Sequence, residues 1–346
     1  MKTMFYSRAK ALALLLLLCV SGSSCSGGFG FAKSSRSDIK IMNWNVQTFF
    51  DSVTDGTEYD EFKQKSANWN EAKYNARLER LVQVIRALDA DVVVMQELEN
   101  SGQLYDISNR LQSTFNFSSR YHYGAFIKEE GASIGIGVIS RLQISNVKSH
   151  SLDIRSERSR QPSLRPILQF TVTCGGKELI IFANHWKSKS GGKESSDVWR
   201  AYQESSLARL FHSAEQAGLP AVACGDFNAD ISDFCFSENA DSESPDESEK
   251  EDLPNRVILR GNQKSEVYST WILSDGSCAG EGTYYYKGEW EKIDHFFSSD
   301  NGLLFDFRVE SQGNHATEDG RPMRYYLPNG SGYSDHFPIT CRVSLP

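Results

Sequence analysis

Six short polar runs carry side chains suited to hydrolytic chemistry. They are Asn43-Trp44-Asn45-Val46, Met95-Gln96-Glu97-Leu98, Asn184-His185-Trp186-Lys187, Gly225-Asp226-Phe227-Asn228, Lys292-Ile293-Asp294-His295 and Ser334-Asp335-His336-Phe337. Asn45 and Glu97 are hard oxygen donors, suited to Mg²⁺, Mn²⁺ or Ca²⁺ and not to a soft metal. Asp226 and Asn228 stand at i and i+2, a spacing that places two strand residues on one side, where they can hold a water or a phosphoryl oxygen. The competing reading of that pair is an Asx-turn. His185 and His336 are histidines within such runs, and Asp226, Asp294 and Asp335 are carboxylates able to orient an imidazole and stabilise its charge. One hard metal with His and carboxylate suits attack of water on a phosphodiester.

Five of these runs end or follow a stretch that reads as a strand, and His336 precedes one. Ile39-Lys40-Ile41-Met42 alternates and leads to Asn45. Val92 to Met95 is wholly apolar, as in a strand covered on both faces, and delivers Glu97. Leu179 to Phe182 leads to His185, Ala221 to Cys224 leads to Asp226, and residues 338–344 follow His336. Tyr74, Leu78, Leu81, Ile85 and Leu88 recur at helical spacing, and Asp89-Ala90-Asp91 breaks the pattern. A second helix carries Leu104, Ile107 and Leu111. A third carries Trp199, Tyr202, Ser206 and Leu210 beside Leu207, Phe211 and Ala214, and stops at Gly218-Leu219-Pro220. Further strands are expected over 121–127, 134–140, 147–154, 167–172, 267–273, 282–287 and 291–297, with a hairpin turn at Gly175-Gly176. Many strands with about four helices indicate one α/β domain built on sheets.

In order and spacing, Trp44-Asn45-Val46, Gln96-Glu97, Asn184-His185, Gly225-Asp226-Phe227-Asn228, Ile293-Asp294-His295 and Ser334-Asp335-His336 resemble the endonuclease/exonuclease/phosphatase superfamily. Its members include pancreatic-type DNases, exonuclease III-like repair nucleases, neutral sphingomyelinases and inositol polyphosphate 5-phosphatases. The likeness spans residues 39–341. Asn45 to Asp51, with Glu97-Leu98-Glu99-Asn100, further resembles a bacterial branch of exported or poorly characterised members. The resemblance implies a four-layered α-β-β-α sandwich, two mixed sheets face to face with helices outside. It implies Glu97 as main metal ligand, with Asn45 beside it and Asp335 reaching the metal. Asp226 would align or deprotonate the attacking water, and Asn228 would hold a phosphate oxygen. His336 would contact the scissile phosphate, oriented by Asp294, and His185 would contact it from the other side. In DNases the equivalent of His185 is paired with a Glu from an earlier loop, a place for Glu129 or Glu130 here. The implied cofactor is Mg²⁺, with Mn²⁺ or Ca²⁺ as alternatives. The implied substrate is nucleic acid, favoured by Asn184-His185-Trp186-Lys187-Ser188-Lys189. A sphingomyelin-like headgroup or an inositol phosphate is the runner-up.

Composition permits this and does not announce it. The chain has 346 residues, 39% hydrophobic and 12% aromatic, enough for a substantial core. Of its net charge of −8, the acidic run 238–252 holds −7 and the first 24 residues +3, which leaves −4 on the body. Nucleic-acid binding is largely electrostatic, so a tight DNA-binding surface is not evident from charge. Lys2, Arg8 and Lys10 precede the apolar run Ala11–Val20, which is too short to span a bilayer. Small residues then lead to Cys25, as in a bacterial lipoprotein signal, although Gly22 stands where Leu is usual. The expected organisation is a leader over 1–24, a Ser/Gly-rich tether over 25–37 and one catalytic domain over 38–346 with a solvated acidic insertion at 238–252. The expected product is an exported monomer held at the envelope membrane by a lipid on Cys25, the alternative being an ordinary cleaved secretory signal. Five cysteines remain beyond Cys25, and Cys235–Cys278 is the one disulfide expected. Gly131-Ala132-Ser133-Ile134-Gly135 matches the serine-hydrolase elbow pattern, but the strand expected after it argues against that class. A surface lipoprotein that only binds a partner is the non-enzymatic alternative.

Overall fold

The first strand, β1 (Asp38–Phe49), lies inside a six-stranded sheet, and every later element is placed relative to it. The computed structural model describes residues 38–112, 119–152, 161–189, 192–236 and 253–345. The leader, the tether and the acidic run fall outside these. After β1 come α1 (Asp60–Lys63), α2 (Glu71–Leu88), β2 (Val92–Leu98), α3 (Gly102–Gln112), β3 (Tyr123–Ile127), β4 (Gly135–Ser140), β5 (Ile144–His150), β6 (Ile167–Cys174) and β7 (Lys177–His185). The second half holds α4 (Lys193–Gln216), β8 (Ala221–Asp226), β9 (Cys235–Phe236), β10 (Arg256–Leu259), β11 (Ser265–Ser269), β12 (Tyr284–Tyr286), β13 (Glu289–Glu291), β14 (Asp294–Ser298), β15 (Leu304–Val309) and β16 (Ile339–Ser344).

Two mixed sheets result. One runs β15-β16-β1-β2-β4-β3 and the other β5-β6-β7-β8-β14-β11-β10-β9, with β12 and β13 forming a separate ribbon. In each large sheet one central pair is parallel, β1 with β2 and β7 with β8. The sheets bury Ile39, Ile41, Val92, Val94, Phe170, Ile181, Val222 and Phe296 between them. Helices α2 and α3 cover the outer face of the first sheet through Leu78, Leu81, Ile85, Leu104 and Ile107. Helix α4 covers the second through Leu207, Phe211 and Ala214. This is the expected sandwich of two mixed sheets flanked by helices. Asn70 caps α2 by accepting from the Lys73 N–H, and Asp89 ends it in the left-handed region at φ 48°. The Gly175-Gly176 hairpin forms with φ of 60° and 87°, values that suit glycine, and joins Cys174 to its partner Lys177.

Several strand limits differ from those expected. The strand expected over 147–154 runs instead from Ile144 to His150, and residues 153–154 fall outside the described set. The expected strand 267–273 ends at Ser269, and that over 282–287 shortens to Tyr284–Tyr286. The expected strand 291–297 is two strands, because the chain leaves β13 at Glu291 and joins a different sheet at Asp294. Strands β9, β10 and β15 were not expected; β15 is an edge strand in which Phe305, Phe307 and Val309 alternate with Asp306 and Arg308. No helix follows Ser133, which enters β4 directly, so the serine-hydrolase elbow is not built. Cys278 is an exposed free thiol, so the expected Cys235–Cys278 disulfide is not formed. Among the described residues no helix is long and apolar enough to cross a membrane.

Candidate active site

Strand alternation dictates which face each polar residue takes. In β7, Leu179, Ile181 and Ala183 point into the layer between the sheets, and the same parity carries His185 there. In β8, Val222 and Cys224 point inward, followed by Asp226; in β14, Asp294 shares its face with Phe296. Register then lines these residues up. His185 stands opposite Asp226 on β8, and Asp226 opposite Asp294 on β14. Gly225 is what lets β7 and β8 come this close: its φ is +152°, and a Cβ there would sit 2.2 Å from the Asn184 carbonyl oxygen.

The other half comes from the first sheet. Ile39, Ile41 and Asn45 share the inward parity of β1. Glu97 does not follow the rule. Its parity in β2 matches Val93 and Met95, which face the helices. A register shift between Gln96 and Leu98, with Glu97 at φ 69°, is a bulge that turns its carboxylate back toward the seam. A matching irregularity follows Asn45, where Gln47 and Thr48 take φ of 53° and 43°. Buried Arg77 of α2 donates to the carbonyl oxygens of Val46 (2.8 Å), Gln47 and Thr48 (2.9 Å), which fixes that turn. The Thr48 N–H then donates to Glu97 Oε2. Periodicity gave no sign of Arg77 as a site residue.

The two halves meet edge to edge. Asn45 Nδ2 donates to Glu97 Oε1 at 3.2 Å and to Asp226 Oδ2 at 2.9 Å. His185 Nε2 lies 3.8 Å from Glu97 Oε1 and 3.6 Å from Asp226 Oδ2. His336 Nε2 is 4.0 Å from the same Asp226 oxygen, and its Nδ1 is 2.8 Å from Asp294 Oδ2. Asp294 is fully buried, and Oδ2 also accepts from the Thr283 hydroxyl at 2.6 Å. Ser334 holds the His336 backbone: its Oγ accepts the His336 N–H at 3.1 Å and donates to the Asn45 carbonyl at 2.6 Å. Asn228, at φ 48°, donates its N–H to Asp226 Oδ1 at 2.9 Å, so the Asx-turn is present and fixes the carboxylate. Its side-chain amide reaches the Trp186 carbonyl at 3.3 Å. Arg165 also donates there at 3.2 Å and hydrogen-bonds Tyr59, which lies within electrostatic reach of Glu97. Asp335 stands at the margin, with Oδ2 3.9 Å from Arg324 Nε. Among the described residues no Glu pairs with His185 from the other side: its Nδ1 is buried without a hydrogen-bond partner, so neither Glu129 nor Glu130 takes that place.

Electrostatics separates the two histidines. Burial pushes His185 well below its ordinary value, and the charges of Arg165 and His336 push it further, so it is neutral. Burial works against the charged form of His336 too, but Asp294, by charge and hydrogen bond, and then Asp226 and Asp335 lift it to about 10. Burial raises the Asp226 carboxyl against the opposing pull of His336, and the Asp294 charge raises it further. The site thus holds a carboxylate of raised proton affinity, Asp226, with a neutral imidazole 3.6 Å and an imidazolium 4.0 Å from the same oxygen.

The chemistry of these donors suits a hard cation. The part-exposed Glu97 carboxylate and Asp335 are oxygen ligands suited to it. Asn45 turns its amide nitrogen to Glu97, and its Oδ1 accepts the Gln47 N–H at 2.9 Å. In this arrangement it clamps Glu97 to Asp226.

The fold has many solved counterparts. TDP2 from Caenorhabditis elegans superposes with a TM-score of 0.54 at 13% identity, over 89% of this chain and 74% of that one. D. rerio TDP2 complexed with single strand DNA product gives a TM-score of 0.52 at 15% identity, over 89% and 99%. Nocturnin from Xenopus laevis is 24% identical over 318 residues, which are 89% of this chain and 72% of that protein. The sequence model of the Endonuclease/Exonuclease/phosphatase family matches residues 40–344, from β1 into β16. That span takes in every strand of both sheets, and it places this chain in the endonuclease/exonuclease/phosphatase family of divalent-metal-dependent, phosphodiesterase- and nuclease-like hydrolases.

Proposed function

We propose that the protein is a Mg²⁺-dependent phosphodiesterase that cleaves nucleic acid by attack of water on phosphorus. Glu97 and Asp335 would hold the cation, which when bound offsets the phosphoryl charge. Asp226 takes the proton of the attacking water as the water oxygen bonds to phosphorus and the ester P–O bond breaks, the departing sugar oxygen taking a proton from solvent; the task suits the raised proton affinity of Asp226. The His336 imidazolium donates from Nε2 to a phosphoryl oxygen while Asp294 holds Nδ1. Neutral His185 and the Asn228 amide position the phosphate from the opposite side. Asn45 keeps Glu97 and Asp226 in fixed relation.

Substrate class rests on one observation, an aromatic platform beside His336. The Tyr284 ring lies 4.8 Å from the His336 ring, and the Tyr286 ring stacks on Tyr284 at 6.1 Å with 20° between planes. Tyr284 is fixed by a backbone bridge to His336. Tyr286 is 47% exposed, and Lys287 Nζ lies 5.2 Å from its ring centre. Rings that step outward from a phosphate site, with a cation beside them, suit stacked bases along a charged backbone. The test offers the purified protein plasmid DNA, RNA, sphingomyelin and phosphoinositides in parallel, with Mg²⁺ and with chelator. Chelator-sensitive cleavage of nucleic acid is expected; turnover of a lipid or inositol phosphate alone would refute the nuclease reading. We also place the enzyme at the cell envelope through acylation of Cys25, checked by release of a Cys25→Ala chain from membranes.

A further inference from the structure

Beyond β1 the chain makes a tight acidic loop, Asp51-Ser52-Val53-Thr54-Asp55-Gly56-Thr57-Glu58, which folds against the end of β2. Asp55, Glu58 and Glu99 each offer a carboxylate oxygen, and these oxygens all lie within 4.8 Å of one another. Glu99 is 1% exposed and Glu58 is 5% exposed. Glu99 Oε2 accepts the Asp51 N–H at 2.6 Å, but Oε1 is buried with no hydrogen-bond partner. Glu58 is aimed by two backbone donors, the N–H groups of Asp55 (2.7 Å) and Gly56 (2.9 Å). Asp55 Oδ1 accepts from the Thr57 N–H and hydroxyl at 2.8 and 2.6 Å, which leaves Oδ2 open. Lys63, the nearest cation in sequence, donates to the Gly56 carbonyl and faces Asp60 instead.

We propose that Asp55, Glu58 and Glu99 form a second divalent-cation site, of the Ca²⁺ class, separate from the site of Glu97. A buried carboxylate oxygen left without any donor is costly, and three gathered carboxylates repel each other; Lys128 and Lys63 pull on Asp55 only from a distance, with no ion pair to the three among the described residues. A shared cation answers both. The donor set favours Ca²⁺, which takes several carboxylates in a flexible cage, whereas Mg²⁺ is usually held by one or two carboxylates and keeps several waters. All the donors are hard oxygens, which excludes a soft metal. The ion ties the loop to β2 two residues beyond Glu97. Tyr59 follows Glu58 directly, so the same tie sets the ring that meets Arg165. The site is therefore a positioning device and requires nothing of the substrate reading.

The test uses the full-length metal-stripped protein carrying Glu97→Ala, so that the catalytic cation is removed. Calorimetric titration with Ca²⁺ is expected to show one ion bound per chain and a rise in Tm. Adding Asp55→Asn and Glu58→Gln should weaken that binding at least tenfold and abolish the rise. Asp55→Asn alone lies on an exposed loop residue and serves if the double variant does not fold; it should weaken binding several-fold. No uptake in the Glu97→Ala chain, or uptake unchanged by the loop substitutions, would overturn the assignment. The latter result would move the ion elsewhere, for example to the acidic run 238–252.

Discussion

Replacing Asp294 with Asn removes one charge and almost no volume. In the native site Asp294 Oδ2 accepts from both Thr283 Oγ1 and the His336 ring, at 2.6 and 2.8 Å. An Asn oxygen in the same place keeps both bonds, and the amide NH₂ falls where Oδ1 already lacks a partner. The fold should therefore survive with a change of about 1–3 kcal/mol, the cost of one unpaired buried polar group. The imidazolium does not survive as easily. The gap between about 10 and the ordinary 6.5 for His336 is worth about 5 kcal/mol of preference for the charged ring. Without Asp294 burial dominates, and the ring becomes largely neutral near pH 7. Losing even half of that preference at the transition state lowers kcat by about 10²-fold, the lower range for loss of one donor to the developing phosphoryl charge. The assay is single-turnover cleavage of a nucleic-acid substrate across pH, with circular dichroism to check folding. His336 is charged below its pKa, so the native enzyme should hold its rate into the alkaline range. The variant should lose its remaining activity from a lower pH, as the basic limb moves down. Full-rate cleavage with an unchanged alkaline limb would refute the role of Asp294, whatever the fold.

Three further outcomes follow from particular contacts. Gly225→Ala should cost roughly 2–4 kcal/mol in urea denaturation and most of the activity, since strain at φ +152° and a 2.2 Å contact force β7 and β8 apart where His185 faces Asp226; a native-like midpoint and rate would show that the pairing tolerates a Cβ. Burial pushes His295 down to about 4, with the Ala229 carbonyl and nearby acids pulling upward. The unfolded chain takes up a proton near 6.5 and the folded one does not until about 4, so stability present above 6.5 is lost as pH falls through that window, by up to about 1.4 kcal/mol per pH unit. His295→Gln should flatten that slope in acid denaturation, and an identical slope would clear His295. Tyr286→Ala should raise KM for nucleic acid about tenfold or more and leave a small aryl phosphodiester unaffected, the loss of one stacked base; equal effects on both substrates would place Tyr286 in the chemistry instead.

Much of the architecture was legible because alternation and burial leave a mark on composition. The apolar runs before Glu97, His185 and Asp226 became central strands, and the parity of Ile181, Val222 and Phe296 carried His185, Asp226 and Asp294 to one face. The stripe from Tyr74 to Leu88 became α2 because a helix must hide that stripe against a sheet. Glu97 was legible as a residue but not as a geometry: its parity points to the helices, and only the bulge reverses it. Arg77 was invisible, because its task is to satisfy three carbonyls of a turn that no local pattern announces. Strands β9 and β10 are two and four residues long, too short for alternation to stand out, and β15 escaped although Phe305, Phe307 and Val309 alternate with Asp306 and Arg308. The Cys235–Cys278 pairing rested on counting thiols, and counting says nothing about distance.

The inward-facing aliphatic layer has a consequence for evolvability. Asn45 and Glu97 ride on one sheet, His185, Asp226 and Asp294 on the other, and Ile41, Val94, Phe170 and Cys224 lie between. That layer is a shim: its thickness sets the gap across which the Asn45 amide spans 2.9 Å to Asp226. A side chain one methylene larger or smaller in the shim changes stability modestly yet alters that gap directly. Selection on turnover therefore reaches deep into residues that never meet a phosphate, and drift in this core is constrained by chemistry as much as by folding.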